Sequence, residues 1–439
     1  MAKTEVKDEP MDRSDGSTAS TNSLTFLDLC KTMNSVKGEP KKAEKFAALL
    51  KDHWDEETVR AACWLINYRV RPDYEAISFK KSDEKYFELV LKDCSEDFFN
   101  TNPNPLTVID AYKALLNIAL MLKKSTVRIA VVTIISLTIY LIPRCSSKDE
   151  FEYLKSIACD DNGNLFLAAM RTCTALTIVL NQVNPSQAVT SDMVKLTYRK
   201  CSDYDRVVNA IFAVDAQTAL KQITLTVGIP VMPMNTKRTD QKIGALTVLT
   251  STKLLPTRFI CEPRIDGFRS QIHVLADGTA RVFDRRLIDE TAKHGQLVEA
   301  IQNYVEEQQI QKPFILDGVT EFKETNEEKK TTLKKDEPGQ QKMDYAGTFF
   351  MFDLLFGQNE EMLEKSLEDR LCTLEKHFQN FPENIKMTPR IFCNNHETLQ
   401  AAFNQFAQDG YKGVIVKSLA SSYQIEKNSA EWLKIFPEQ

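Results

Sequence analysis

The sequence predicts a multidomain chain: an all-α domain over residues 24–225, then an α+β domain with antiparallel sheets over residues 246–439. Three observations carry this. Apolar residues recur at helical spacing in the first part, as in Phe26, Leu27, Leu29, Cys30 and Met33 and again over 111–122. After Gly228-Ile229-Pro230 the texture changes to strand-like runs at 258–262, 270–274, 281–284, 314–317, 348–355 and 413–417. Finally, 439 residues exceed one ordinary core.

Residues 1–23 are Ser, Thr, Asp, Glu and Lys with almost nothing to bury, which predicts a disordered tail. Within 24–225, breaks such as Asn102-Pro103-Asn104-Pro105 and Asn184-Pro185-Ser186 separate about ten helices, scaled from typical helix lengths. The apolar run 129–142 lies between Arg128 and Arg144. It falls short of the roughly 20 residues of a membrane span and reads as a buried helix. Residues 226–245 form a connector. In the second domain, helices are expected at 366–378 and 397–408, and the Lys, Glu and Gln run over 323–343 reads as a solvated loop.

Composition narrows the function. A net charge of −5 and a pI near 5.8 give no bulk attraction to nucleic acid, so any DNA contact must come from a local basic patch. Ten cysteines without a C-x-x-C pair, beside five histidines, argue against a zinc site or disulfide framework and for a reducing compartment. No apolar core like that of a signal peptide precedes the first helix. A soluble, intracellular protein is expected, with no membrane contact. Val6-Lys7-Asp8-Glu9 and Val36-Lys37-Gly38-Glu39 have the apolar-Lys-x-Glu form of SUMO attachment, which makes Lys7 and Lys37 candidates on a short, common pattern.

The segment Cys261-Glu262-Pro263-Arg264-Ile265-Asp266-Gly267-Phe268-Arg269 decides the reading. It resembles the nucleotidyltransferase signature K-x-D-G-x-R, with Arg264 at the lysine position. Further motifs follow in order: Phe314-Ile315-Leu316-Asp317-Gly318, Phe350-Met351-Phe352-Asp353-Leu354-Leu355, Lys412-Gly413-Val414-Ile415-Val416-Lys417 and Trp432-Leu433-Lys434-Ile435-Phe436. Upstream, Gly228-Ile229-Pro230-Val231-Met232-Pro233-Met234 is similar to the connector between helical and catalytic domains. The chain therefore resembles eukaryotic ATP-dependent DNA ligases, of the replicative ligase I type, from about residue 24 onward. The resemblance implies a helical DNA-binding domain and an adenylation domain. Because the chain stops just past the Trp-Leu-Lys motif, no OB domain is expected.

In that family a neutral lysine amine attacks the α-phosphate of ATP. Arginine stays charged and delocalised and offers no lone pair, so Arg264 is expected to bind phosphate without forming the adenylate. Val319 and Lys412 stand where the resemblance places metal-supporting glutamates, and Phe436 replaces the second lysine of the last motif. Glu321 shares a strand face with Val319 but lies about 7 Å further along. Glu262, Asp266, Arg269, Phe352, Lys417 and Lys434 remain as a vestigial nucleotide pocket. A competing reading, favoured because a triphosphate without metal is poorly neutralised, makes them purely structural, with Phe352 as core and 266–269 as a turn.

The hairpins expected to grip DNA are changed. Asp160 and Asp161 stand where arginines are expected, and the hairpin near 181–187 lacks its glycine. Lys195, Arg199, Lys200 and Arg206 form a modest basic cluster, read mainly as a solvated face. Arg285 and Arg286 follow a strand where ligases carry a DNA-contacting arginine. These readings sum to a catalytically inactive, ligase-like protein and no enzyme. It would need no cofactor or metal and would act as a nuclear scaffold through protein contacts, with weakened duplex binding. Two alternatives stay open: a nick- or duplex-binding protein that competes with or recruits an active ligase, and a cryptic ligase or nucleotidyltransferase.

Overall fold

The computed structural model describes residues 23–72, 88, 92, 95–124, 140–158, 165–238, 258–322, 347–426 and 428–436. The predicted tail with Lys7, the loop 323–343, the aspartates at 160 and 161 and most of the apolar run 129–142 lie outside these residues. Leu141 and Ile142, the end of that run, are buried.

Among the described residues, the first domain holds nine α-helices. They are α1 (Phe26–Asn34), α2 (Glu39–Asp52), α3 (Glu56–Ile66), α4 (Val108–Lys124), α5 (Lys148–Ala158), α6 (Ala169–Val183), α7 (Ser191–Cys201), α8 (Tyr204–Ile211) and α9 (Ala216–Gln222). Short polar residues start many of them. Thr25, Asp55, Thr190, Asp203 and Asp215 each accept a first-turn N–H that the helix itself leaves unpaired. The apolar stripes then close on one core, with Phe26, Phe46, Trp64, Phe151 and Tyr204 fully buried. Trp64 meets Tyr204 edge-on at 5.0 Å. Tyr204 Oη donates to Asn67 Oδ1 at 2.9 Å, and Asn67 Nδ2 donates to Thr172 Oγ1 at 3.0 Å, so this buried polar chain is satisfied internally.

The second domain has two sheets. The first has the order β1 (Asn235–Arg238), β11 (Asn428–Ile435), β10 (Val414–Ser418), β2 (Phe259–Pro263), β9 (Ile391–Cys393). The second has the order β4 (Ala280–Asp284), β3 (Phe268–Val274), β5 (Phe314–Phe322), β6 (Gly347–Gly357), β7 (Glu360–Glu361), with β8 (Ile385–Met387) also on β6. Pairing is antiparallel except for β1 with β11 and β6 with β8. Among the described residues three α-helices cover them: α10 (Gly295–Glu307), α11 (Leu367–His377) and α12 (His396–Gln408). The expected connector is corrected here, because its residues 235–238 form strand β1 of the first sheet.

Alternation along the first sheet places the site. Phe259, Cys261, Val414, Val416, Leu433 and Ile435 pack on Leu399, Phe403 and Phe406 of α12. Their neighbours Ile260, Glu262, Ile415, Lys417, Trp432 and Lys434 therefore face the other way, toward the second sheet.

The connector 228–234 lies along β3, held by alternate side chains of that strand. His273 Nδ1 accepts from Gly228 N at 3.0 Å, Gln271 bonds both N and O of Val231, and Arg269 Nη1 donates to Met234 O. Pro230 and Pro233 have no N–H to join a ladder, so β3 supplies side chains instead.

The helical domain is tied to the second domain by ion pairs. Lys200 Nζ lies 2.6 Å from Glu361 Oε1, whose other oxygen accepts from Leu225 N at 3.0 Å, and Arg199 Nε lies 2.6 Å from Glu426 Oε2. A double-mutant cycle on Lys200→Ala and Glu361→Ala, read by urea unfolding, is expected to give a coupling of about 1 kcal/mol. Strictly additive single effects would mean the pair ties nothing together.

Candidate nucleotide site

Between the two sheets lies a cavity of about 220 Å³ lined by both. The first sheet contributes Thr236, Glu262, Ile415, Lys417, Trp432 and Lys434; the second contributes Arg269, Val319 and Phe352. The turn from β2 to β3 adds Arg264 and Gly267. A Cβ on Gly267 would lie 2.4 Å from Thr320 O, so the turn can close against β5 only with glycine there.

Two ion pairs form the walls. Lys417 Nζ is buried 2.6 Å from Glu262 Oε2, 4.0 Å from the Phe352 ring centroid and 4.4 Å from that of Trp432. Burial pushes its ammonium below the ordinary lysine range, against the pull of Glu262. Opposite, Arg269 donates to Asp317 through Nε at 3.0 Å and Nη2 at 2.6 Å, and Tyr423 Oη donates to Asp317 Oδ2 at 2.6 Å. Burial disfavours the Arg269 charge, but Asp317 and Tyr423 outweigh it and hold the pKa above the usual arginine value. Phe352 stands between the pairs, with Arg269 Cζ 5.2 Å from its centroid.

At the mouth sits Arg264, whose N–H donates to Gly413 O at 2.8 Å and whose Nη1 lies 2.5 Å from Asp266 Oδ1. Lys412 Nζ lies 3.0 Å from Asp266 Oδ2. The Lys412 hydrogen bond, with Arg264 and Lys434 nearby, holds the Asp266 carboxyl below the usual range. Phe436 carries Arg264 Cζ 5.8 Å and Lys434 Nζ 5.1 Å from its centroid.

The expected pocket residues thus gather in one place. Phe352 is both pocket wall and core, and Arg269 is both pocket wall and clasp, so the two competing readings of these residues describe the same atoms. Tyr423 and Thr388, also at the site, carry no local sequence signal.

The basic cluster is corrected. Arg199 and Lys200 are engaged by Glu426 and Glu361 across the domain junction, so they are not a solvated face. Arg206 Nη1 donates to Thr226 Oγ1 at 3.2 Å, and Lys195 is half-buried on α7. Arg285 and Arg286 join Arg69, Tyr198, Ser202 and Glu426 around a second cavity of about 250 Å³ at that junction. Lys37 is exposed just before α2.

Two facing sheets enclosing a cleft of this kind, preceded by a helical domain, define a nucleotidyltransferase of the ligase type. Residues 239–435 match the ATP dependent DNA ligase domain. Relatives include DNA ligase 1 of Arabidopsis thaliana, 26% identical over 55% of this chain and 31% of the relative, and that of Drosophila melanogaster, 23% identical over 76% and 45%. The DNA ligase of Caldivirga maquilingensis is 24% identical over 77% of this chain and 54% of the relative. The chain thus spans about a third to a half of the length of these relatives. The solved structure Pmar-Lig_Pre shares the fold over 94% of this chain and 78% of its own, with a TM-score of 0.51 at 14% identity. The second domain therefore matches the ATP-dependent DNA ligase family, and the chain as a whole is similar to its members.

These matches overturn the expectation that the chain is no enzyme. The relatives are DNA ligases and the matched region holds most of the cleft's lining, which points to a ligase-type nucleotidyltransferase domain and away from a non-enzyme. Three of the four substituted positions, Arg264, Lys412 and Phe436, stand at the mouth, while the walls behind keep Glu262, Arg269, Phe352 and Lys417 and differ only at Val319. Among the described residues no helix is long and apolar enough to cross a membrane, and the eight described cysteines are free thiols.

The divalent metal that the family implies does not fit this mouth. Both Asp266 oxygens face cations, both Asp317 oxygens are bonded by Arg269 and Tyr423, and Glu262 Oε2 is paired with Lys417. Glu262 Oε1 alone is unpartnered, and it is buried beside an ammonium. Magnesium takes one or two carboxylates together with substrate phosphates in near-octahedral geometry. Among the described residues no three His, Cys, Asp or Glu gather to hold a metal.

Proposed function

We propose that the chain is a DNA-ligase-type nucleotidyltransferase that holds an adenylate in the cleft between its sheets and joins the ends of a nick in duplex DNA. The observation that supports this is the cleft wall: Phe352 and Trp432, set edge to face, and the cations of buried Lys417 and half-buried Arg269 are presented to one cavity. Rings take a purine face, and cations take its phosphate.

Residue 264 sets the order of the chemistry. A guanidinium has no lone pair to attack ATP, so the adenylate is taken already joined to the 5′ phosphate of the DNA. The 3′ hydroxyl oxygen then attacks that phosphorus, and the phosphoanhydride bond to AMP breaks. AMP leaves with the electron pair, and the hydroxyl proton passes to solvent. Arg264, at the mouth, is placed to stabilise charge on the departing phosphate. The net charge of −5 provides little long-range attraction to DNA, so a nuclear protein partner is proposed to bring the chain to its substrate.

The test uses a nicked duplex pre-adenylated at its 5′ phosphate, with sealing read on a denaturing gel and AMP release measured alongside. Sealing is expected without ATP, and Arg264→Ala is expected to slow it about a hundredfold, the cost of losing one charge-stabilising donor. A nick with a plain 5′ phosphate plus ATP should stay open. Folded protein that leaves the pre-adenylated nick unsealed would sink the reading.

A further inference from the structure

One tyrosine closes the wall of the cleft from behind. Tyr423 is buried in the loop after β10, and its hydroxyl uses its one donor and both of its acceptor positions. Its Oη donates to Asp317 Oδ2 at 2.6 Å, accepts from Arg269 Nη2 at 3.2 Å and accepts from Met234 N at 3.1 Å. Burial and the Asp317 carboxylate push the phenol well above its ordinary range, so the proton stays in place to be donated. The connector is caught at both polar groups of Met234, because its carbonyl accepts from Arg269 Nη1. Arg269 Nε and Nη2 are thus turned to Asp317 and Tyr423, and Nη1 reaches Met234 O. Nη1 carries a second N–H, and among the described residues it has no further partner for it.

We infer that Tyr423 is a positioning residue for the sealing step, holding the Arg269 guanidinium against the connector so that its second Nη1 N–H is offered to the adenylate. The inference rests on the adenylate site proposed above and adds the group that aims its arginine. Two parallel bonds fix the guanidinium in the plane of the Asp317 carboxylate, but the pair can still turn as a unit about the Asp317 side chain. A contact outside the pair is needed to stop that turn. Tyr423 Oη supplies it, touching both members of the pair and the connector backbone at once. Arg269 lines the cavity and Tyr423 stands behind it, so the effect of the tyrosine on a bound ligand passes through the arginine.

The test is sealing of the pre-adenylated nick by the whole chain, with kcat and KM measured separately. Tyr423→Phe is expected to lower kcat on the order of tenfold with KM for the nick unchanged, less than the roughly hundredfold that a misplaced catalytic group can cost. The same change beside Arg269→Lys should have no further effect, because the guanidinium it positions is gone. Tyr304→Phe removes another buried hydroxyl, which donates to Gln379 O at 2.7 Å outside the cleft lining, and should leave kcat as it is. Phenylalanine keeps the ring packed edge-on to Trp432, so Tyr423→Phe should fold, as urea unfolding would verify. Should it not fold, Asp317→Asn loosens the same clasp at its other end, and the same fall in kcat and the same lack of effect beside Arg269→Lys are expected. An unchanged kcat, or losses that multiply with those of Arg269→Lys, would overturn the inference while leaving the adenylate site standing. A pre-adenylated nick left open by the unaltered chain would overturn both.

Discussion

Arg370→Met is expected to lower the unfolding free energy by about 3–5 kcal/mol, the cost of stranding a buried carboxylate. Arg370 on α11 and Asp353 on β6 are both 0% exposed and bonded twice, Nε to Oδ1 at 2.7 Å and Nη2 to Oδ2 at 2.9 Å. The remaining guanidinium nitrogen donates to Lys365 O at 2.6 Å and Ser421 O at 3.1 Å, so one side chain joins β6, α11 and the loop after β10. Asp353 also lies directly across from Asp317 in the β5–β6 ladder. Two buried carboxylates can face each other only because each has its own arginine, Arg370 for one and Arg269 for the other. Urea unfolding of Arg370→Met beside Arg370→Met with Asp353→Leu separates the terms. The double variant should recover much of the loss, since an apolar pair leaves no charge unpaired. A single-variant loss below about 1 kcal/mol, ordinary for any substitution, would count against a structural role for the pair.

A second large effect is expected in acid. His273 on β3 is fully buried, and burial, reinforced by the Arg281 charge and opposed by Asp289, pushes its pKa down to about 3. Its Nδ1 must stay unprotonated to accept from Gly228 N. The unfolded chain takes up a proton near pH 6.5 while the folded chain does not. The unfolded state therefore binds more protons between about 6.5 and 3, and stability falls as pH falls through that window. This one residue accounts for about 1.4 kcal/mol per pH unit below 6.5. Unfolding measured at pH 7, 5.5 and 4.5 should show that slope, and His273→Gln should flatten it. An unchanged slope in His273→Gln would assign the acid sensitivity elsewhere.

Much of this was legible in the chain. Helical periodicity marked the helices of the first domain, and strand-like runs marked β2, β3, β6 and β10, which are buried along most of their length. The Asp-Gly-x-Arg segment located the cleft, since its glycine and arginine are fixed by the close approach of β5 and by Asp317. Other elements left no local trace. Strand β1 is Asn-Thr-Lys-Arg at a sheet edge, and β7 is Glu-Glu; neither has apolar residues to alternate. Arg199 and Lys200 resemble any basic last turn of a helix, because their carboxylate partners lie 227 and 161 residues downstream. Tyr423 reaches Asp317 from 106 residues away, and no spacing rule spans that distance. Long-range charge pairing is a property of the fold, so the sequence shows its members but not their partners.

The β1–β11 pairing carries a mechanical consequence. The connector from the helical domain enters β1 at Asn235, while β11 ends at Ile435, and the two strands run parallel through Asn235–Asn428 and Arg238–Lys434. Tension between the helical domain and the end of β11 therefore pulls the two strands past one another along their length. All the hydrogen bonds of the pair must yield together under that load, whereas a hairpin opened from its end gives way one bond at a time. The strand carrying Trp432 and Lys434 is thus held in shear, and a tug on either domain loads the joint without prying the cleft apart.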